Sequence, residues 1–568
     1  MGKRSYGTFT IISVVLLLVV AVFSGIAIYP WLMNFLSETG IKSAYAPSKI
    51  VVIESVKAVQ GGFILYVRNV GVSPVTVDRA YIELLGNGSL EEIVLSPTTL
   101  RAGELKEIAV PYYNVERGKC YRIKLTTTSG SIFSMIYEVL EISEYRWLLG
   151  WSYRKPHEIV GSTAGSVTNY QIKFIVHFGA GSDVGASVYL NGKCKSDFSD
   201  VRFTLSDGVT ELPYWIEEKV DGDYAVFWVM IPSIPAYPDK TLIYVYYGNP
   251  SAKSNSDKES TFPYFMEVKR ITLPRQTYAG QWFSFSFDNE FQAPPIVIAE
   301  PDQTFNEIRE LRIRLKDITR TSFMIRQQEP SNRDDIHASE DVTYIAVPPG
   351  SWKTVVGEVK LEAGIFQTDK WLAGDGNVAN DRWNTVNFSY NFSSPPIVLS
   401  QIQDFSYTGC AHTRIRNVDV SGFQTSPEPE GSVTTPPTTV VTVGWLAVEQ
   451  HVSKLDGSTK SEAQVVNNVR HWWKTFHFGQ SYSQEPNIVA WMQTYNGGDA
   501  AGLRGNNLSP TSFSVRVEED LTYDWWDINH AYEDIGYFAV EYDGKYHLRK
   551  FIDPEPSHGS WGLEETFS

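Results

Sequence analysis

Two polar clusters in the chain carry residue types that do chemistry. His337-Ala338-Ser339-Glu340-Asp341 stands seven residues before Tyr344, and His530-Ala531-Tyr532-Glu533-Asp534 stands seven before Tyr537. An imidazole with two carboxylates can hold a metal ion or hydrogen-bond the hydroxyls of a sugar. It can equally tie a loop, the Glu accepting backbone N–H groups while the His packs on a sheet. Trp525-Trp526-Asp527, just before His530, offers two rings on which a sugar can stack. Arg312, Arg314, Arg326, Arg414, Arg416 and Arg516 fall on presumed strands. Guanidinium groups grip acidic sugars, or simply cover a solvated strand face. The candidate ligand-binding residues are therefore His337, Glu340, Asp341, Trp525, Trp526, His530, Glu533 and Asp534, with no metal and no cofactor assigned to them.

These clusters sit in a repeat. Four anchors recur in order: Trp282, Pro295, Phe323 and Ala346; Trp383, Pro396, Phe423 and Ala447; Trp473, Pro486, Phe513 and Ala539. Trp and Pro are 13 residues apart every time, and Pro and Phe are 27 or 28 apart. Each unit reads as alternating strand, edge-ending Pro, apolar strand such as Ile296-Val297-Ile298, and a late strand ending in Ala-Val. The middle unit lacks the His/carboxylate cluster and has Pro437-Thr438-Thr439-Val440-Val441 in its place. The pattern resembles H-type lectin domains, small six-stranded sandwiches, and that resemblance implies sugar binding.

Ahead of the repeats lie two further β-patterned regions. Phe63-Ile64-Leu65-Tyr66-Val67 follows Gly61-Gly62, and Tyr121-Arg122-Ile123-Lys124-Leu125-Thr126 alternates before Ser129-Gly130. The order Val67 to Gly71, then Gly118 to Leu125, resembles the immunoglobulin-like head of archaeal pilins. From Trp151-Ser152-Tyr153-Arg154-Lys155 the texture changes. Phe198-Ser199-Asp200-Val201-Arg202-Phe203-Thr204, Leu212-Pro213-Tyr214-Trp215-Ile216-Glu217, Ala225-Val226-Phe227-Trp228-Val229 and Tyr244-Val245-Tyr246-Tyr247-Gly248-Asn249-Pro250 follow. Taken in order, these blocks resemble the domain-of-unknown-function 2341 family of surface and envelope proteins, which implies a lectin-type β-sandwich.

Residues 5–37 hold no Asp, Glu, Lys, Arg or His, behind Lys3-Arg4. A spanning helix needs about 20 apolar residues. The run from Phe9 to Ala27 resembles the N-terminal segment of archaeal type IV pilins and archaellins. A plain membrane anchor and a cleaved secretory signal are the other two readings. The pilin resemblance implies processing near Arg4, Ser5 and Gly7, and packing of the helix with its copies or other pilins.

Composition narrows the partners. The 568 residues carry a net charge of −16 with no basic stripe, which excludes nucleic acid as an expected partner. Cys120, Cys194 and Cys410 are too few and too scattered for a disulfide framework or a zinc site. No nucleophile elbow, Walker loop, zinc-protease or dinucleotide motif occurs, so no enzyme and no catalytic residue is expected. Asn87, Asn387, Asn391 and Asn507 head glycosylation acceptor triplets.

The sequence thus predicts an all-β multidomain chain headed by a long hydrophobic helix. Its parts are a basic leader (1–7), the pilin-like or transmembrane helix (8–45), an immunoglobulin-like head (46–146), a lectin-like sandwich (147–264) and three small sandwich repeats (265–355, 356–455, 456–568). The predicted role is that of an archaeal surface protein, membrane-anchored or assembled in an adhesive filament, with the bulk outside the cell. Its partners would be the membrane, other copies or pilins, and glycans. The alternatives are a structural filament or envelope subunit that binds no sugar, and an anchored polysaccharide-processing enzyme.

Overall fold

In the computed structural model residues 49–567 are described, apart from 87–89, 113, 145, 302, 309, 377–378 and 525. Strands dominate, and the helices among the described residues are Lys258–Thr261 and the 3-10 turn Asn380–Arg382. The predicted fold class is corrected at its first element. The structure is all-β, and no helix of the described residues is long and apolar enough to cross a membrane. The residues of the predicted helix, 8–45, and Arg4, Ser5 and Gly7 lie outside the described residues, as does Asn87. An apolar run marks burial, and its pattern alone does not choose the secondary structure.

Two compact units divide the chain. The first holds the described residues up to Ser152, with Asn249–Ala252 and the chain end from Thr566. It is a sandwich of a three-stranded sheet (Val51–Val59, Gly62–Asn69, Leu105–Pro111) on a four-stranded one (Leu90–Leu100, Val75–Leu84, Cys120–Thr127, Ile132–Glu138). Cys120–Thr127 alternates buried and half-buried residues along its whole length, as a strand with one core face must. The first hairpin turns at Gly61, with φ +89°, a conformation that costs glycine least. Tyr121 fills the core beside Phe63, ring centroids 5.3 Å apart, and its hydroxyl donates to Asn114 O at 2.9 Å.

The second unit spans Tyr153–Gly248 and Lys253–Glu565. It opens with another sandwich. One sheet joins Ser187–Tyr189, Val167–His177, Tyr224–Ile234 and Tyr214–Val220; the other joins Arg202–Leu205, Lys240–Tyr247, Tyr153–Val160 and Ser557–Trp561. The last of these strands comes from the far end of the chain, where the sequence places the third repeat. Trp561 stacks on the buried His157 ring at 3.8 Å and seals this sandwich.

The three repeats are built alike. Each has a three-stranded sheet whose first strand directly follows the anchor Trp and whose other two carry the Arg and Phe positions: Phe283–Ser286, Arg312–Lys316 and Ser322–Gln328; Asn384–Asn387, Ala411–Arg416 and Gly422–Pro429; Lys474–His477, Ala501–Asn506 and Ser512–Glu519. Opposite it runs a sheet of the first strand (Tyr264–Leu273, Lys360–Thr368, Lys460–Val469), the Ala-Val strand (Glu340–Val347, Val441–Val448, Glu533–Val540) and the post-proline strand (Ile296–Ile298, Ile397–Ile402, Asn487–Met492). A further strand precedes the second and third repeats, Gly350–Thr354 and His451–Lys454, and pairs with their first strands. In the first repeat that place is taken by Gly544–Lys550, which follows the third repeat. The chain end thus completes the sheet that the first repeat begins.

The post-proline strands are buried on both faces. In the first repeat Val297 joins the repeat's own core, while Ile296 and Ile298 join a core shared with Val398, Val489 and Trp491 of the others. Glutamine side chains stitch these strands together. Gln403 binds Val297 through both its N–H and its C=O at 2.9 Å, and Gln493 binds Val398 in the same way. Gln303 donates to Ile488 O at 2.7 Å, which completes a cycle through all three repeats.

Gly444 and Gly536 make room for two of these glutamines. A Cβ on Gly444 would stand 2.8 Å from both Gln403 Cδ and Ile296 Cγ2. Gly444→Val is expected to destabilise the protein by about 1–3 kcal/mol, read as a lowered midpoint in thermal or urea denaturation. An unchanged midpoint would mean that the glutamine stitch contributes nothing.

Candidate functional site

At each seam between repeats an indole meets an aromatic ring edge-to-face. Trp282 of the first repeat meets Phe405 of the second at 4.9 Å, Trp383 meets Tyr495 of the third at 5.1 Å, and Trp473 meets Phe305 of the first at 5.2 Å. One fully buried arginine lies over each of these partner rings: Arg314, Arg414 and Arg504, at 4.9, 4.5 and 4.7 Å. The strand register sets each beside a residue of the next strand. Arg314 Nη1 donates to Gln328 at 2.6 Å, Arg414 Nη1 to Glu428 at 3.1 Å, and Arg504 Nη1 to Glu518 at 3.1 Å.

The other guanidinium nitrogen crosses the seam. Arg414 Nη2 reaches Glu533 Oε1 at 3.2 Å, and Arg504 Nη2 lies 3.6 Å from Glu340 Oε1. Glu340 and Glu533 are wholly buried loop ties. Glu340 accepts from Asn306 N at 3.0 Å and Thr304 Oγ1 at 2.6 Å, and Glu533 accepts from Asn496 N at 2.8 Å and Gly497 N at 3.0 Å. His530 bridges Glu519 at 2.6 Å and Glu533 at 3.2 Å, while His337 Nδ1 lies 3.9 Å from Glu340. The middle repeat has no such cluster, and Arg314, which faces it, donates to backbone carbonyls at Tyr407 and Gly409. Burial pushes the Arg314 guanidinium down to about 10, with no carboxylate bonded to it to oppose the shift.

The remaining sequence candidates fall elsewhere. Asp341 accepts from Thr272 Oγ1 at 2.6 Å and lines a small polar cleft with Arg270, Asn306 and Asn507. Asp534 accepts from Asn468 N at 3.1 Å. Trp526 is exposed, and Trp525 lies outside the described residues. Asn387, Asn391 and Asn507 are exposed. Arg312, Arg314 and Arg414 are buried, so they present no solvated strand face. Glu307, Glu329 and His337 form a group whose ligand atoms all lie within 4.8 Å of one another. Glu307 and Glu329 also accept from the backbone N–H groups of Ala338 and Asp335, at 2.7 and 3.0 Å.

The seam between the third and first repeats opens into a cleft of about 330 Å³. Trp472, Trp473 and Ile528 line one side, and Ile308, Glu310 and Arg333 the other. Trp472 is 65% exposed and Trp473 36%, whereas Trp383 at the equivalent position is 3% exposed. Arg516 lies 4.8 Å from the Trp473 ring and pairs with Glu518, while Arg333 holds Glu310 through bonds of 3.0 and 3.1 Å. Sequence reasoning used Trp473 as a repeat anchor and passed over Trp472. The signal was there: the first and second repeats place Gln281 and Arg382 before their tryptophans.

Comparison with known proteins gives two results. The model of a domain of unknown function, DUF2341, matches residues 197–284. That range covers the later strands of the second unit's opening sandwich and runs on into the first repeat. Halomucin of Haloquadratum walsbyi (strain DSM 16790 / HBSQ001) is 30% identical over 282 residues, 48% of this chain. The matched region spans 3% of halomucin's own length.

Burial disfavours charge on Glu533, but the His530 hydrogen bond and the Arg414 charge outweigh it and hold the carboxyl at about 2. A depressed carboxyl stabilises the fold fully above its ordinary range, near 4.5, and that contribution is lost as the pH falls towards 2. Glu533→Gln should therefore cost on the order of 3 kcal/mol at neutral pH, with the gap to the parent closing on acidification. Denaturation curves at stepped pH check this, and a pH-independent gap would contradict it.

Proposed function

We propose that the chain is an archaeal cell-surface protein that binds carbohydrate non-catalytically through its three-repeat body. The observation that carries the sugar reading is the exposed indole of Trp472 beside Trp473, at the mouth of a cleft of about 330 Å³. Aromatic faces take the C–H face of a pyranose, and flanking carboxylate and guanidinium groups take its hydroxyls. Trp472, Arg516 and Glu519 present that combination. The hydrogen-bonding groups here are fixed by partners within their own repeats, Arg333 by Glu310, Arg516 by Glu518 and His530 by Glu519, so the surface is preformed and loses little entropy on binding.

The surface reading is supported by the likeness to halomucin, which is named as a mucin, and by the match to a domain that the sequence reading associates with envelope proteins. Exposed Asn387, Asn391 and Asn507 suit glycosylation outside the cell. Many copies of the chain displayed on one surface would multiply a weak single-site affinity for a surface bearing many copies of a glycan.

A glycan array probed with the full chain tests this reading. Binding to a defined subset of immobilised glycans is expected, with the signal lowered about tenfold by Trp472→Ala. Signals at background across the array would contradict it and favour a structural subunit.

A further inference from the structure

We propose that the chain has one open sugar cleft, at the seam of its third and first repeats, and that this cleft selects an uncharged pyranose. The inference rests on the carbohydrate-binding reading above and adds to it the stoichiometry and the ligand class.

The stoichiometry follows from how the three seams differ. All three keep the indole, the partner ring and the buried arginine, so the framework is shared. At the second seam the Arg416 guanidinium lies 4.3 Å over Trp383, which is 3% exposed. At the first seam Trp282 is half-buried, with Lys316 Nζ 4.7 Å and the Arg326 guanidinium 5.5 Å from its ring centre. A cation already occupies the indole face that a sugar would use. The third seam alone adds a second tryptophan, Trp472, in the position filled by Gln281 and Arg382 in the other repeats. Its exposed ring leaves a stacking face free that neither other seam has.

The ligand class follows from the charges. Among the described residues the cleft's guanidinium groups are committed: Arg333 to Glu310 through two bonds, and Arg516 to Glu518. Glu518 also holds Arg504, and Glu519 holds His530 at 2.6 Å. Burial and the neighbouring Arg470 charge keep the His471 imidazole below its ordinary pKa, so it adds no positive charge at neutral pH. A carboxylate-bearing sugar would have to break an existing pair or sit beside Glu519 uncompensated. A protonated amine would compete with Arg333 and Arg516 for carboxylates already bonded. A neutral ring leaves both pairs intact: it would accept from the Arg516 Nη1 group, since Glu518 holds Nη2, and donate to Glu519 Oε2, since His530 holds Oε1, while its apolar face lies on Trp472.

The test titrates the full chain with three matched series, followed by ligand-observed NMR and calorimetry. The probes are D-galactose, D-glucose and D-mannose with their N-acetylamino derivatives, then the corresponding uronic acids, then the corresponding free amino sugars. A neutral sugar should bind at about one site per chain, with its uronic acid and its free amine each at least tenfold weaker. Trp472→Ala should abolish the signal, while Trp526→Ala, also at an exposed indole, should leave it intact. Equal or tighter binding of a uronic acid or an amine, a stoichiometry near three, or persistence in Trp472→Ala would overturn this inference and leave the carbohydrate-binding reading standing. If none of the three series binds and a broad glycan array is silent as well, both fall.

Discussion

Each repeat contains a strand that is buried on both faces, and most of the molecule's second unit follows from that constraint. Beyond Asn487, the strand Asn487–Met492 is wholly apolar, so its outer face must find another protein surface. Three such strands satisfy one another. Their outward residues form a shared core, and the glutamines that cross between them supply hydrogen bonds the buried backbone needs. The arrangement is cyclic, and the strand after the last repeat completes the sheet of the first. The fold of one repeat is therefore tied to the presence of the other two.

Cyclic closure also explains the buried charges. An arginine at the end of a seam cannot reach solvent, so its terminal N–H groups turn to the protein, while the Nε of Arg314 and of Arg414 stays buried without a hydrogen bond. Two seams answer with a pair of carboxylates each, Glu428 with Glu533 and Glu518 with Glu340. The third answers with Gln328 and backbone carbonyls. The middle repeat's lack of the His/Glu cluster and the neutral Gln328 of the first repeat meet at the same arginine. Neither Gln328 nor the carbonyls that Arg314 bonds carry a charge, and the guanidinium lies correspondingly lower in pKa.

Much of this order was written plainly in the residues, and some was not. The spacing of Trp, Pro, Phe and Ala-Val made the β character of this region legible, because each anchor falls on or beside a strand. The alternation around Tyr121 likewise gave the first sandwich. The partner of an edge strand was not legible: nothing in Ser557–Trp561 says that it returns to Tyr153–Val160, since strand pairing is a long-range property. The polar candidates mixed two roles. His337, Glu340, His530 and Glu533 have the residue types of a binding site, yet all four are buried. Composition does not distinguish a carboxylate that greets a ligand from one that holds a neighbouring repeat's arginine. Trp472 was hidden by its neighbour, because a repeat anchor draws attention to what recurs, and Trp472 does not recur.

Repetition builds a rigid frame, and departure from repetition opens one place in it. The most direct test labels the full chain with 5-fluorotryptophan and follows its fluorine resonances as a neutral oligosaccharide is added. Saturable shifts confined to Trp472 and Trp473 are expected, with Trp282, Trp383 and Trp526 unmoved. Shifts at Trp526 alone, equal shifts at Trp282, Trp383 and Trp473, or no shift at the cleft with a sugar shown to bind would contradict the account.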